Sequence, residues 1–237
     1  MEFKKYKELG PYHWIQTETK FSNSQLNPLS LARYQKVAKL IPANVKSILD
    51  AGCGDGYLLY LSHKRAPDAK LFGFDTEDAG LFFASQKLSE HNVSATLDKG
   101  SIYDISYSEN SFDLVLCADV IEHLENYNLA LKNLMHVLKP GGLLIMSTPL
   151  KKPGGKWDSY HVKEFTGKEL LEICNKHFSK CEIFAIQSER SLNYMYKRGR
   201  IFKRLLQILT CLGLNLALKE GDPESGKYQQ LIIKCEK

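Results

Sequence analysis

No two cysteines in this chain are spaced C-x-x-C, although there are six of them, at positions 53, 117, 174, 181, 211 and 235. Without that spacing neither a zinc site nor a disulfide frame is expected. Cysteines set inside apolar, strand-like runs read instead as reduced core residues of a cytosolic protein. An apolar stretch near the start is also missing. Met1–Lys20 is mixed and charged, so no secretory signal is expected and the reading is cytoplasmic. Long hydrophobic runs are absent too: Leu205–Leu218 is the closest approach, and it is too short and interrupted to span a bilayer. Charge of one sign is weak. The net charge of +5 over 237 residues does not by itself imply a nucleic-acid partner. No internal repeat is visible.

What is present is a 43% hydrophobic chain of a length that suits one α/β domain with a decorated cap. Its most informative stretch is Ile48-Leu49-Asp50-Ala51-Gly52-Cys53-Gly54-Asp55-Gly56. A short apolar strand runs into three alternate glycines, and the helix-like Tyr57–Leu61 follows at once. Glycine accepts positive φ and puts no Cβ between backbone and ligand. A strand–glycine loop–helix unit aims free N–H groups and a helix N-terminus at a nucleotide-type ligand. The G-x-G-x-G spacing differs from the G-x-G-x-x-G of dinucleotide binders. It suits a ligand without a pyrophosphate. Lys70–Asp75 reads as the next strand, ending in an acid placed to accept both hydroxyls of a ribose.

Four segments, ILDAGCGDG (48–56), the strand ending at Asp75, NSFDLVLCADVIEHL (110–124) and LKPGGLLIMSTP (138–149), give the chain its family resemblance. In order and spacing they resemble the class I S-adenosylmethionine-dependent methyltransferases over roughly residues 30–190. The resemblance implies an enzyme of that kind, with a doubly wound, seven-stranded, mostly parallel sheet. It also implies S-adenosylmethionine as cofactor. Gly52, Gly54 and Gly56 would admit its methionine end, with Asp50 near the ammonium. Asp75 would hold the ribose, Thr76 would flank the adenine, Ile102 would pack on the adenine face, and Ala118 would line the pocket. Ser101 stands where many relatives carry an Asp that bonds the adenine amino group.

Apolar spacing predicts a helix over Leu29–Leu40, ended by Pro42. Strands are expected at 45–50, 70–75, 94–97, 113–117 and 142–147, alternating with helices as a parallel sheet requires. Thr166 and Glu169 form a capping-box pattern opening a helix through about His177. Cys181–Gln187 and Tyr228–Cys235 read as the last two strands. On this reading residues 1–44 form an N-terminal helical cap and 45–237 the methyltransferase domain, with a helical insertion at about 189–226.

After the strand at 113–117 comes Asp119-Val120-Ile121-Glu122-His123, whose polar members share one face if the segment is helical. One reading makes Asp119 an N-cap and Glu122 its capping-box partner, with His123 in the site wall. The other has Asp119, Glu122, His123 and His161 (from Trp157-Asp158-Ser159-Tyr160-His161) holding Mg²⁺ or Mn²⁺. An acid-x-x-Glu-His plus a later His resembles the ubiquinone-pathway O-methyltransferases and the small-RNA 3′-end 2′-O-methyltransferases, which carry Glu where this chain has Asp119. Without a metal, His123 or His161 is the expected base, and Asp119 joins them as a catalytic candidate.

The insertion opens with the basic cluster Lys197, Arg198, Arg200, Lys203 and Arg204 and continues into an apolar helix. It reads either as a helical hairpin packed on its own domain or as a surface that meets a membrane or covers a greasy substrate, through about 197–218. The expected reaction is methyl transfer to a hydroxyl of a small-molecule, glycan-linked or lipid-linked acceptor. An RNA 2′-O-methyltransferase, disfavoured by the small basic cluster, and a cofactor-binding partner without turnover are the alternatives.

Overall fold

The computed structural model describes residues 5–152, 154, 158–192 and 199–237. Trp157 and the stretch Tyr194–Arg198, which includes two members of the basic cluster, lie outside the described residues. In chain order the elements are α1 (Lys5–Leu9), α2 (Tyr12–Thr17), α3 (Pro28–Leu40), β1 (Ser47–Ala51), α4 (Tyr57–Arg65), β2 (Lys70–Asp75), α5 (Asp78–Glu90) and β3 (Thr96–Lys99). Then follow β4 (Phe112–Ala118), α6 (Tyr127–Val137), β5 (Leu138–Pro149), α7 (Gly167–Cys174), β6 (Lys180–Ile186), α8 (Glu189–Leu192), α9 (Arg200–Cys211) and β7 (Gln230–Glu236).

The strands form one sheet in the order β3-β2-β1-β4-β5-β7-β6. Neighbours from β3 to β5 are parallel. β7 runs antiparallel between β5 and β6. This is the doubly wound, mostly parallel sheet that the strand–helix alternation predicts. Strand order reverses between β1 and β4, and ligands of such sheets bind beyond the carboxyl ends of the strands at that reversal. Side chains of β4 alternate faces with period two. Val115 and Cys117 join the core layer that holds Leu131, Leu134, Phe165 and Leu170, while Leu114 and Leu116 join Val37, Ile41, Leu58 and Leu59.

Local sequence explains the element ends. The Asn27 side chain accepts from the N–H groups of Leu29 and Ser30, and Pro28 sits in the first turn of α3. The Thr166–Glu169 capping box is present in full. Its helix stops at Cys174, three residues short of the expected end, as His177 and Phe178 turn back onto the Cys174 carbonyl. β5 starts four residues earlier than expected, because a register irregularity opposite Phe112 and Leu114 carries the Pro140-Gly141-Gly142 run inside the strand.

Side-chain amides fasten the insertion to the N-terminal segment. Gln207 donates to the carbonyls of Ser24 (3.0 Å) and Leu26 (2.7 Å), Gln187 to Leu29 (3.0 Å), and Asn215 to Pro28 (2.9 Å). Buried Lys36 of α3 pairs with Glu220 at 2.7 Å and lies over the Phe184 ring. Cap and insertion therefore meet as one layer on the sheet. Among the described residues of the insertion, the short α8, the 12-residue helix α9 and 3₁₀ turns at Leu216–Leu218 and Pro223–Ser225 stand where a helical hairpin was one of the expected forms.

Candidate active site

The glycine loop leaves β1 at the reversal point. The N–H groups of Gly52 and Cys53 both donate to the Phe74 carbonyl, folding the loop over the end of β2. Gly54 N–H donates to Asp75 Oδ2 at 2.8 Å, and Glu77 N–H to Asp75 Oδ1 at 2.9 Å. Loop and acid thus form one unit. Gly52 has φ 84°, and a Cβ there would come within 2.6 Å of Val120 Cγ2. At Gly54 a Cβ would overlap the Tyr6 hydroxyl. Gly56 differs from the other two: it opens α4, and its bare side faces Ala84 and Leu88 of α5.

Asp50 carries the strongest sign of a ligand. It is 2% exposed, and its Oδ2 is buried with no hydrogen-bond partner. Burial, with Asp75 and Asp55 nearby, pushes its pKa up to about 8. A buried, unpaired carboxyl at the foot of a glycine cradle fits a cationic ligand group such as the ammonium of S-adenosylmethionine. Asp75 is half-buried. Burial raises its pKa, although the N–H groups of Glu77, Gly54 and Thr76 favour its charge. Replacing Asp75 by Ala is expected to weaken S-adenosylmethionine binding by about 1.5–3 kcal/mol. Calorimetry that finds unchanged affinity in the folded variant removes it from the ribose role.

Thr76 is exposed beside this acid. Ser101 is used locally: its hydroxyl accepts from Tyr103 N–H at 3.2 Å and its backbone bridges to Asp104. Ile102 is 5% exposed within the core layer, where its carbonyl accepts from the Asn133 amide. Ala118 ends β4, paired with Ser147.

Sequence reasoning passed over Asp55, the residue between the last two glycines. Its carboxylate, fully buried, accepts from the His13 backbone N–H at 3.0 Å and meets His13 Nδ1 at 3.1 Å. Its carbonyl accepts from the Trp14 indole at 2.8 Å. The α2 helix is therefore clamped to the glycine loop. The Tyr12-His13-Trp14 triplet was the signal, but nothing in the sequence placed it against residue 55.

On the reacting side both expected forms of the 119–123 segment need correction. Asp119 has φ 54° and caps nothing. Its carboxylate pairs with Arg33 and accepts from Ser147 Oγ (2.7 Å) and Gln230 Nε2 (2.7 Å). Only Ile121–His123 is helical, as one 3₁₀ turn, and no side chain caps it. Glu122 is 1% exposed and accepts from Thr148 Oγ1 at 3.0 Å, so it completes no capping box. The expected four-residue metal set does not assemble either. Glu122, His123 and His161 place ligand atoms within 4.8 Å of one another, and Asp119 is not in that group. Burial and the Asp119 charge push the Glu122 pKa up. Three of the four expected ligands are thus together, two imidazoles and one carboxyl, and Asp119 is engaged by Arg33 instead.

His123 is half-buried, with Nδ1 2.9 Å from the Tyr160 carbonyl. Burial lowers its pKa, and His161, whose ring lies 5.1 Å away, adds to the shift. With Nδ1 as the donor, Nε2 carries the lone pair. The backbone carbonyl of Glu122 accepts from Val162 and Lys163, docking the loop that brings in His161. His161 Nδ1 lies 2.8 Å from Glu164 Oε1. Val120, three residues before His123, packs on Gly52. Val120 thus ties the turn that carries His123 to the glycine loop.

A family model described as a methyltransferase domain matches residues 43–207. The ubiquinone biosynthesis O-methyltransferase of Hahella chejuensis (strain KCTC 2396) is 32% identical over 211 residues, 87% of this chain and 86% of that protein. Among solved structures, phosphoethanolamine N-methyltransferase 2 of Haemonchus contortus superposes with a TM-score of 0.68 at 16% identity. It covers 98% of this chain, which spans 58% of it. Geranyl diphosphate C-methyltransferase of Streptomyces coelicolor A3(2) superposes with a TM-score of 0.65 at 14% identity, covering 90% of this chain and 79% of that one. The chain belongs to the class I S-adenosylmethionine-dependent methyltransferases. These three enzymes are named for oxygen, nitrogen and carbon acceptors respectively, so the fold alone does not select among them.

Proposed function

We propose that this methyltransferase acts on a hydroxyl of a small or lipid-linked molecule, with His123 as general base. S-adenosylmethionine, when bound, supplies the activated methyl group. A hydroxyl must lose its proton as the oxygen is alkylated, and a base matched to neutral pH is the group for that task. The observation that carries the reading is His123 itself. Its pKa is lowered by burial, its Nδ1 is held by the Tyr160 carbonyl, and it lies one 3₁₀ turn from the residue packed on Gly52. His161, paired with Glu164, forms the neighbouring wall and orients the acceptor. The name of the 32%-identical relative supports an oxygen acceptor.

His123→Ala is expected to lower kcat by about 10²–10⁴-fold while S-adenosylmethionine affinity stays within a factor of about two. With the histidine pKa lowered, the acid limb of the wild-type rate profile lies below the ordinary imidazole value near 6.5. The same assay after exhaustive chelation is expected to retain full activity. Loss on chelation with recovery on Mg²⁺ or Mn²⁺ would replace the base by a bound cation, and an unchanged kcat in His123→Ala would remove the base altogether.

A further inference from the structure

Helix α9 is built with its polar side inward. Gln207 and Thr210 are 3% and 4% exposed and face the cap with Leu206, whereas Ile201, Leu205 and Leu212 are 83%, 49% and 62% exposed. Positions 201, 205 and 212 lie on one stripe of a 3.6-residue helix. Leu214, just past the helix, is 60% exposed, and Phe21, whose carbonyl accepts from Arg204, is 54% exposed. A buried glutamine that spends both N–H groups on the Ser24 and Leu26 carbonyls holds this orientation in place. Rotating the helix to hide its leucines would strand those carbonyls.

Charge identifies what meets the stripe. From Arg200 to Lys219 the chain carries Arg200, Lys203, Arg204 and Lys219 and no acidic residue. Arg200, Lys203 and Arg204 crowd the first two turns and are exposed. A two-fold contact between copies would bring these cations against themselves. Anionic headgroups would neutralise them while the acyl boundary takes the apolar stripe. No helix among the described residues is long and apolar enough to cross a membrane, so the contact is with its surface. We propose that α9 and the turn after it dock this enzyme on a bilayer carrying anionic phospholipid.

Flotation with vesicles tests this. Wild-type protein is expected to float with phosphatidylcholine vesicles containing about one-third phosphatidylglycerol and to stay down with phosphatidylcholine alone. Ile201→Asp combined with Leu205→Asp is expected to abolish flotation. Arg200→Gln with Lys203→Gln is expected to lower the partition roughly thirtyfold. All these side chains are exposed, so melting temperature and S-adenosylmethionine affinity serve as controls and should match wild type. The proposal is overturned if wild type fails to float, or if the double-aspartate variant floats as well as wild type. It is equally overturned if sedimentation shows a wild-type dimer that the same variant dissociates while vesicles bind neither protein.

Discussion

Asp50→Asn is expected to raise the melting temperature of the cofactor-free enzyme at pH 8 and, in the same protein, to weaken S-adenosylmethionine binding by about 1.5–3 kcal/mol, roughly 10–150-fold. Both effects follow from one buried, unpartnered carboxyl whose pKa stands at about 8. The sign is set by proton binding. An unfolded Asp ionises near 3.9, so between about pH 4 and 8 the folded state holds a proton that the unfolded state has released. Stability from this residue is complete below pH 4 and drains away as pH rises toward 8. A neutral amide loses nothing over that window. For a chain of this size each kcal/mol recovered lifts the melting temperature by about 2–4 °C. Binding runs the other way, because an ammonium needs the ionised acid. At pH 7 cofactor binding is expected to expel a proton, seen as a dependence of the calorimetric heat on the buffer's ionisation enthalpy. In Asp50→Asn that dependence disappears. A variant no more stable than wild type at pH 8, or a wild type without proton release, contradicts the arrangement.

The second large effect concerns Arg33 and Asp119, with side chains 14% and 22% exposed. Burial opposes the guanidinium's charge, but Asp119 outweighs it and keeps Arg33 protonated. Arg33→Ala leaves Asp119 with Ser147 and Gln230 but no counter-charge, and removal of one partner from a pair this enclosed costs about 3 kcal/mol. Urea unfolding should show that loss with an unchanged slope. Adding Asp119→Asn to Arg33→Ala is expected to restore most of it, since the stranded charge is gone. The pair also sets where the chain turns after β4. In Arg33→Ala kcat is therefore expected to fall about tenfold or more, as small displacements of a catalytic group do, while cofactor affinity changes little. Equal losses in both would assign the pair a purely structural role.

Much of this architecture could be read before any coordinates. Alternating strands and helices, the Thr166 helix start, and the acid-ended second strand all follow from local patterns, and local patterns are what propensity and periodicity report. The site was less legible, because its partners come from distant parts of the chain. Asp119 looked like a capping residue by its D-x-x-E spacing. A left-handed backbone and an arginine 86 positions away turned it elsewhere. Asp55 drew no reading of its own and proved to be the anchor of α2 through His13 and Trp14. Glu122 seemed a ligand or a cap, and it caps nothing: it is buried against Thr148, beside His123 and His161. The inward polar face of α9 had the least warning: a hydrophobic pattern shows which residues share a face, but not which way that face points.

The antiparallel placement of β7 has a consequence for how the chain is made. β6 reaches the sheet only through β7, which lies between it and β5. During synthesis the strands up to β5 can assemble as they emerge, each beside one already present. The outer side of β5 and the whole of β6 must then wait with unpaired backbone until the last of the seven strands leaves the ribosome. Over that interval the nascent chain presents an open apolar strand edge, the kind of surface that invites pairing with a neighbour on the same message. Sheet completion is thus a late, single insertion event, and a slow or interrupted translation between Ile186 and Gln230 is the point at which this enzyme is most exposed to misassembly.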